Sequence, residues 1–335
     1  MMRTFCTDEL ESLATEAGLV FPRNVIPQLV AALDAGKHVV LTGAPGTGKT
    51  TLAYLAADLG QQAVLCTGYL AVTASGQWST DETIGGYTAT PDGRVFLPGV
   101  FLQAIESGRW LVIDEINRSN FDEASGPLFT VLAGQAVTLP FKRAGSRSHI
   151  AIVPPGGIAP PDTDVLRVPE PWRLIATMNI VDRDSLFKPS HALMRRFTFI
   201  EVEAPSDDVI RGLLTGPGEL VGALLPIRQV VDLGPALFLD SARYAARRLQ
   251  DRDVTPSRVL YEVFFAHFLP QLDQIDDAAA RRLYELVSPV FDGPEQAPLR
   301  RVIRQALGSG GRPPGEQSLN DNGSLDETDR RLQVV

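Results

Sequence analysis

From residue 38 to residue 203, short apolar runs rich in β-branched side chains alternate with stretches of helix formers. The runs at 38–42, 63–67, 110–114, 172–177 and 197–201 have strand length and composition. The first and third are continuously apolar instead of alternating, so the strands they predict are buried on both faces. That pattern predicts an α/β domain with a parallel five-stranded sheet flanked by helices. Upstream, residues 8–17 and 24–35 read as two short helices, with Pro22 and Pro27 breaking the chain or sitting in a first turn. Beyond Ala204 and Pro205 the strand signals stop, and 234–251, 256–269, 275–287 and 297–307 carry helical periodicity.

The predicted organisation is a helical lead-in at 1–35, an α/β core at 36–204, a small α-helical lid at 205–307 and a disordered tail at 308–335. Two stretches interrupt the core. Residues 68–99 carry Gly85, Gly86, Pro91, Gly93, Pro98 and Gly99, which suit an inserted hairpin. Residues 140–171 carry Lys142, Arg143, Arg147 and His149 and then a proline- and glycine-rich run, which suits a second hairpin with a basic flank.

Candidate chemistry begins at the end of the first strand. Gly43, Ala44, Pro45, Gly46, Thr47, Gly48, Lys49 and Thr50 fit the phosphate-loop spacing of two glycines, a lysine and a hydroxyl. The loop lies between a strand and a helix that starts with Thr51, so backbone N–H groups and the helix dipole would converge on one phosphate site. Lys49 would reach the β- and γ-phosphates, and Thr50 would ligate Mg²⁺. Some 65 residues beyond Lys49, the strand at 110–114 ends in Asp114 followed by Glu115. Ligands of parallel sheets bind beyond the carboxyl ends of the strands, which puts Asp114 in the Mg²⁺ shell and lets Glu115 polarise an attacking water.

Bulk properties narrow the class. A net charge of −9 argues against a general nucleic-acid coat, while leaving a local basic loop available to one. Two cysteines cannot make a disulfide framework and suit a reducing compartment, and four scattered histidines give no metal-ligand spacing. Neither a signal pattern nor an apolar run long enough for a membrane is visible, so a cytoplasmic chain without membrane partners is expected.

Asp114 and Glu115 followed by Ile116, Asn117 and Arg118 resemble the second nucleotide motif of the AAA+ ATPases, in the branch of MoxR-type, dynein-related and McrB-type motors. The lead-in at 97–110 resembles the same branch. The resemblance implies an AAA+ core with a helical lid, and it implies further site residues. Asn179, closing Ala176, Thr177 and Met178, is similar to the sensor-1 position. Arg196, with Arg195 as its close competitor, resembles the arginine finger that one subunit lends to the next. Arg258 in the segment 255–258 resembles the sensor-2 arginine, with Arg247 and Arg248 as weaker candidates. Met178, Asn179, Asp182 and Arg183 are most similar to McrB-type motors, although Ile180 and Val181 depart from that pattern.

The resemblance therefore implies an oligomeric, hexameric ring that hydrolyses ATP with Mg²⁺ and remodels or moves a macromolecule with an effector protein. The alternatives it leaves open are a GTP-hydrolysing McrB-like subunit acting on DNA, and a MoxR-like chaperone. About 35 residues precede the first strand, too few for a DNA-reading module, so selection is expected to come from a partner or the insertions.

Overall fold

The computed structural model describes residues 5–91, 93–179, 191–272, 275–291 and 295–306. The expected tail at 308–335, and Asp182 and Arg183 with the loop around them, lie outside the described residues. The chain forms two compact units. The first comprises Met1–Ser206 with Leu233–Ala236, and the second Asp207–Asp232 with Leu237–Val335.

In the first unit, α1 (Thr7–Glu16) and α2 (Val25–Asp34) precede β1 (His38–Gly43), and α3 (Lys49–Gln62) follows the glycine loop. Next come β2 (Tyr69–Thr73), a single turn α4 (Thr80–Thr83), and the strands β3 (Gly85–Thr90) and β4 (Gly93–Pro98). Then α5 (Val100–Glu106) leads to β5 (Trp110–Asp114), a short 3₁₀ turn Ile116–Arg118, α6 (Phe121–Ala124) and α7 (Gly126–Leu132). The remainder is β6 (Val137–Thr138), β7 (His149–Val153), β8 (Thr163–Arg167), β9 (Leu174–Asn179), α8 (His191–Met194) and β10 (Phe197–Glu201).

The central sheet has five strands in the order β10-β1-β9-β5-β2, all parallel. Side-chain alternation explains the continuous hydrophobicity. Val39 and Leu41, Trp110 and Val112, and Ile175 point to the core under α1, α2 and α3. Val40, Leu111 and Ile113, and Leu174 and Ala176 point to the opposite core with Phe101, Leu128 and Ile150. Both faces are covered, as a parallel sheet requires.

One strand lies elsewhere than the pattern predicts. Residues 63–67 form the turn that leaves α3, with Val64 at φ 60° and its side chain exposed. Gly68, at φ 133°, ends that turn, and the strand of the sheet is Tyr69–Thr73, inside the stretch read as an insertion. An edge strand is buried less and so carries a weaker apolar signal; the stronger run Leu65 and Cys66 instead packs against the core beneath α3.

The insertions also differ from two simple hairpins. β3 and β4 pair antiparallel as expected, but the second insertion is a three-stranded sheet in which β7 pairs parallel with β8. The rings of Tyr87, Phe96 and Phe141 join the two insertions, with centroids 5.0 to 6.3 Å apart. The Lys142 N–H donates to the Tyr87 hydroxyl at 2.9 Å. Arg143 is paired with Glu106 and with Asp164, so it is committed to this clasp and Arg147 is the exposed base of the flank.

The second unit is helical: α9 (Asp207–Leu213), a 3₁₀ run Gly216–Gln229, α10 (Pro235–Arg248), α11 (Pro256–Val263), α12 (Asp277–Val287) and α13 (Gln296–Ala306). Its core holds Phe238 against Phe268 and Phe264 against Phe291. Among the described residues, no helix is long and apolar enough to cross a membrane.

His38 opens β1 between the rings of Trp172 and Phe197, and its Nδ1 accepts the Leu174 N–H at 3.0 Å. Burial first, then the nearby Arg173 and Lys37 charges, push its pKa down to about 3. The unfolded chain takes up this proton near pH 6.5 and the folded chain only near pH 3. The stability this group contributes is therefore complete above pH 6.5 and is lost as pH falls through that window, with a slope of at most about 1.4 kcal/mol per pH unit. Urea unfolding of wild type and His38→Asn from pH 7 to pH 4 is expected to show a shallower acid loss in the variant. Parallel curves would disprove a neutral His38.

Candidate functional site

The phosphate-loop residues lie at the carboxyl end of β1 and the start of α3. Gly48 precedes the helix at φ 89°, and a Cβ there would meet Leu19 at 3.0 Å and Phe21 at 3.4 Å, so only glycine fits. No side chain caps the helix start, which leaves first-turn N–H groups directed out of the loop. Lys49 is buried, and its ammonium donates to the carbonyls of Gly43 at 3.0 Å and Ala44 at 2.6 Å, with Thr47 Oγ1 at 3.4 Å. Ala44 and Thr47 are buried while Pro45 and Gly46 are exposed, so the loop crest faces solvent. Thr51 begins the exposed face of α3.

On the far side of this loop, the segment Leu233–Ala236 belongs to the same unit. The Ala236 N–H donates to Gly46 O at 3.3 Å, and a Cβ on Gly234 would stand 2.4 Å from the Gly46 carbonyl carbon. Sequence reading gave this segment only as the start of a helix; a glycine ahead of a proline offers no further signal.

The two carboxylates extend from β5. Asp114 Oδ1 accepts from the Thr50 hydroxyl at 2.6 Å and from the Thr177 hydroxyl at 2.6 Å. Glu115 adopts the left-handed conformation, φ 53° and ψ 51°, so its side chain departs from the strand direction. Its N–H donates to Thr177 Oγ1 at 2.9 Å, while Oε1 accepts from Asn179 Nδ2 at 2.8 Å. Arg118 reaches back along the 3₁₀ turn, with its Nε 2.5 Å from Glu115 Oε2 and a second nitrogen 3.1 Å from Oε1. Asn117 is buried and donates to the Asn179 carbonyl at 3.0 Å.

Thr50, Asp114, Glu115 and Asn179 therefore form one connected hydrogen-bonded group. Sequence reasoning missed Thr177, although a polar residue amid the apolar run of β9 was a visible signal. Arg118 was visible within the motif, but its pairing depends on the left-handed Glu115, which no spacing reveals. Among the described residues, no group of three His, Cys, Asp or Glu side chains is arranged to hold a metal by itself.

The arginines divide differently. Arg196 donates from Nε to the Phe129 carbonyl at 3.0 Å and lies over the Phe129 ring at 5.6 Å, so it is anchored within its own subunit. Arg195, beside it, is exposed. Arg258 lies in the second unit, at Glu262 (3.2 Å), Glu295 (3.4 Å) and the Tyr261 ring. Arg248 pairs with Glu262 and Asp251, and Arg247 with Gln250.

Thr177→Val would leave the Glu115 N–H without its acceptor and Asp114 with one donor fewer. Stability in urea is expected to fall by about 1–3 kcal/mol, with Thr177→Ser recovering most of it. A neutral Thr177→Val would contradict this geometry.

Residues 38–197 match the AAA domain family of the dynein-related subfamily. No curated protein matches the chain. Among solved structures, the chain is similar to a "putative ATPase" from Cytophaga hutchinsonii ATCC 33406, at 14% identity and a TM-score of 0.39, over 84% of this chain and 73% of that one. The glycine loop and the strands β1, β2, β5 and β9 of the parallel sheet all lie within the matched residues.

Proposed function

We propose that this chain is an ATPase that works as an oligomeric ring with a partner effector. The observation that carries the reading is the hydrogen-bonded group of Thr50, Asp114 and Glu115, linked through Thr177 and Asn179, at the end of the sheet where Lys49 lies buried in the glycine loop. The site's chemistry fits a triphosphate with Mg²⁺. An uncapped helix start and a buried ammonium suit phosphate oxygens, and the Thr50 hydroxyl beside Asp114 suits a hard cation. Mg²⁺ held by Thr50 and Asp114 would neutralise charge developing between the β- and γ-phosphates.

Within the reading, the loop from Gly43 to Thr51 binds and orients the phosphates. Glu115 takes the proton of the attacking water, and Asn179 fixes both that carboxylate and the water. Arg258 is the reading's candidate for sensing the γ-phosphate. For the finger, an exposed side chain suits a residue lent to a neighbour better than an anchored one. That favours Arg195 over Arg196, the reverse of the order the resemblance implies.

Glu115→Gln is expected to lower ATP hydrolysis by at least about a hundredfold while leaving nucleotide binding intact. Arg195→Ala is expected to lower it by about 10³ or more at any protein concentration. Mixing the two inactive variants should restore a measurable part of the activity, because Glu115→Gln subunits lend fingers to intact sites. A mixture as inactive as its parts would rule out catalysis across subunits. Unchanged turnover in Glu115→Gln would remove the mechanism itself.

A further inference from the structure

Among the described residues, β2 is the outermost strand of the central sheet on its side and bonds to β5 alone. The Trp110 N–H donates to Gly68 O and the Ala74 N–H to Asp114 O, each at 2.9 Å. Backbone groups alternate along a parallel strand, so the even-numbered residues face β5 and Tyr69, Ala71 and Thr73 turn their N–H and C=O groups outward. Ala71 and Thr73 are exposed. An open edge on a sheet buried on both faces is a template for one more strand.

Beside this edge lies a cleft of about 580 Å³. Its walls include Val72 and Thr73 from β2, Trp78, and Tyr87 and Leu97 from the first insertion, with Asp81 at the same cleft. Tyr87 and Leu97 are 45% and 52% exposed, high for large apolar side chains. The Asp81 carboxylate lies over the backbone of Gly86, where a Cβ would stand 2.7 Å from it, and it makes no ion pair among the described residues.

The walls are held in place before anything binds. Ser79 and Glu82 close a capping box that fixes α4, and the clasp of Tyr87 with Phe96, Phe141 and the Lys142 N–H fixes the opposite side. A preformed cleft loses less entropy on binding.

We propose that the open edge of β2 docks an extended segment of a partner polypeptide, whose basic side chain enters the cleft toward Asp81. The backbone of that segment continues the sheet at Ala71 and Thr73. Its cation lies against the aromatic faces of Trp78 and Tyr87 and pairs with the unclaimed carboxylate. An apolar side chain would strip water from Asp81 without compensation, and a nucleic acid would meet like charge. A basic partner also complements a chain of net charge −9. Nothing in this docking depends on nucleotide chemistry.

The test is fluorescence anisotropy of a labelled peptide, Thr-Val-Arg-Val-Thr, titrated with the full chain in the absence of nucleotide. The same peptide with citrulline in place of arginine is the control. Binding to wild type is expected to weaken about tenfold with citrulline, and about tenfold in Asp81→Asn. Ala71→Pro removes only an outward N–H, leaves the bonds to β5 intact, and is also expected to weaken binding, with far-ultraviolet circular dichroism unchanged. Equal affinity for both peptides, or no binding at millimolar protein, would overturn the proposal. So would a concentration-dependent self-association of wild type that Asp81→Asn abolishes, since the edge would then belong to a second copy of this chain.

Discussion

The carboxylate of Asp114 is the constraint from which the rest of the first unit's chemistry follows. One oxygen accepts from Thr50, at the start of α3, and from Thr177, on β9. The three residues belong to different elements, and two hydrogen bonds of 2.6 Å hold those elements at one level of the sheet. Charge-assisted bonds of this length are about twice as strong as neutral ones, and here they lie at the edge of a closed apolar core. Because Thr177 also accepts the Glu115 N–H, the same junction sets the direction in which the chain leaves β5. Aligning the phosphate loop and turning Glu115 away from the strand are thus one structural event.

Apolar burial on both faces keeps that junction rigid. Val39 and Val40, adjacent in sequence, serve opposite cores, as do Leu111 and Val112. A shift of β1 by one residue would exchange the two faces and carry the glycine loop away from β5. The insertions obey a different economy. They close over their own small aromatic cluster and a pair of carboxylates around Arg143, and among the described residues they add no strand to the β2 edge of the sheet.

Legibility in the sequence followed burial. The central strands at 38–43 and 110–114 and the last strand at 197–201 read directly, because their hydrophobic runs answer to both cores. Of the two edge strands, β10 read and β2 did not, since Tyr69, Ala71 and Thr73 face water or neighbours only in part, while Leu65 and Cys66 nearby supply a denser apolar run that ends in a turn. The glycine loop and the paired Asp114 and Glu115 were visible because they follow a known pattern of residue types at fixed spacing. Thr177 and the Leu233–Ala236 segment were not, because they act through contacts 63 and about 190 residues away in the chain. The parallel pairing of β7 with β8 was also hidden, since proline and glycine mark a reversal without stating which strand edges meet.

Both carboxylate oxygens of Glu115 are engaged. In the proposed reading Glu115 needs an oxygen directed at water, whereas here Oε2 is paired with Arg118 and Oε1 is shared between Asn179 and Arg118. Arg118 is 52% exposed on a short 3₁₀ turn, so little packing opposes its withdrawal, whereas Asn179 is tied to β9 and to Asn117 through its own carbonyl. The two restraints on the carboxylate therefore differ in kind. Asn179 sits on a strand whose backbone is held by its neighbours, while the Arg118 guanidinium belongs to an exposed side chain whose ion pair is of small net worth and readily exchanged for another anion. A phosphate or a neighbour's carboxylate arriving beside Arg118 would compete for it directly, and freeing Glu115 would then cost only the exchange of one exposed partner for another.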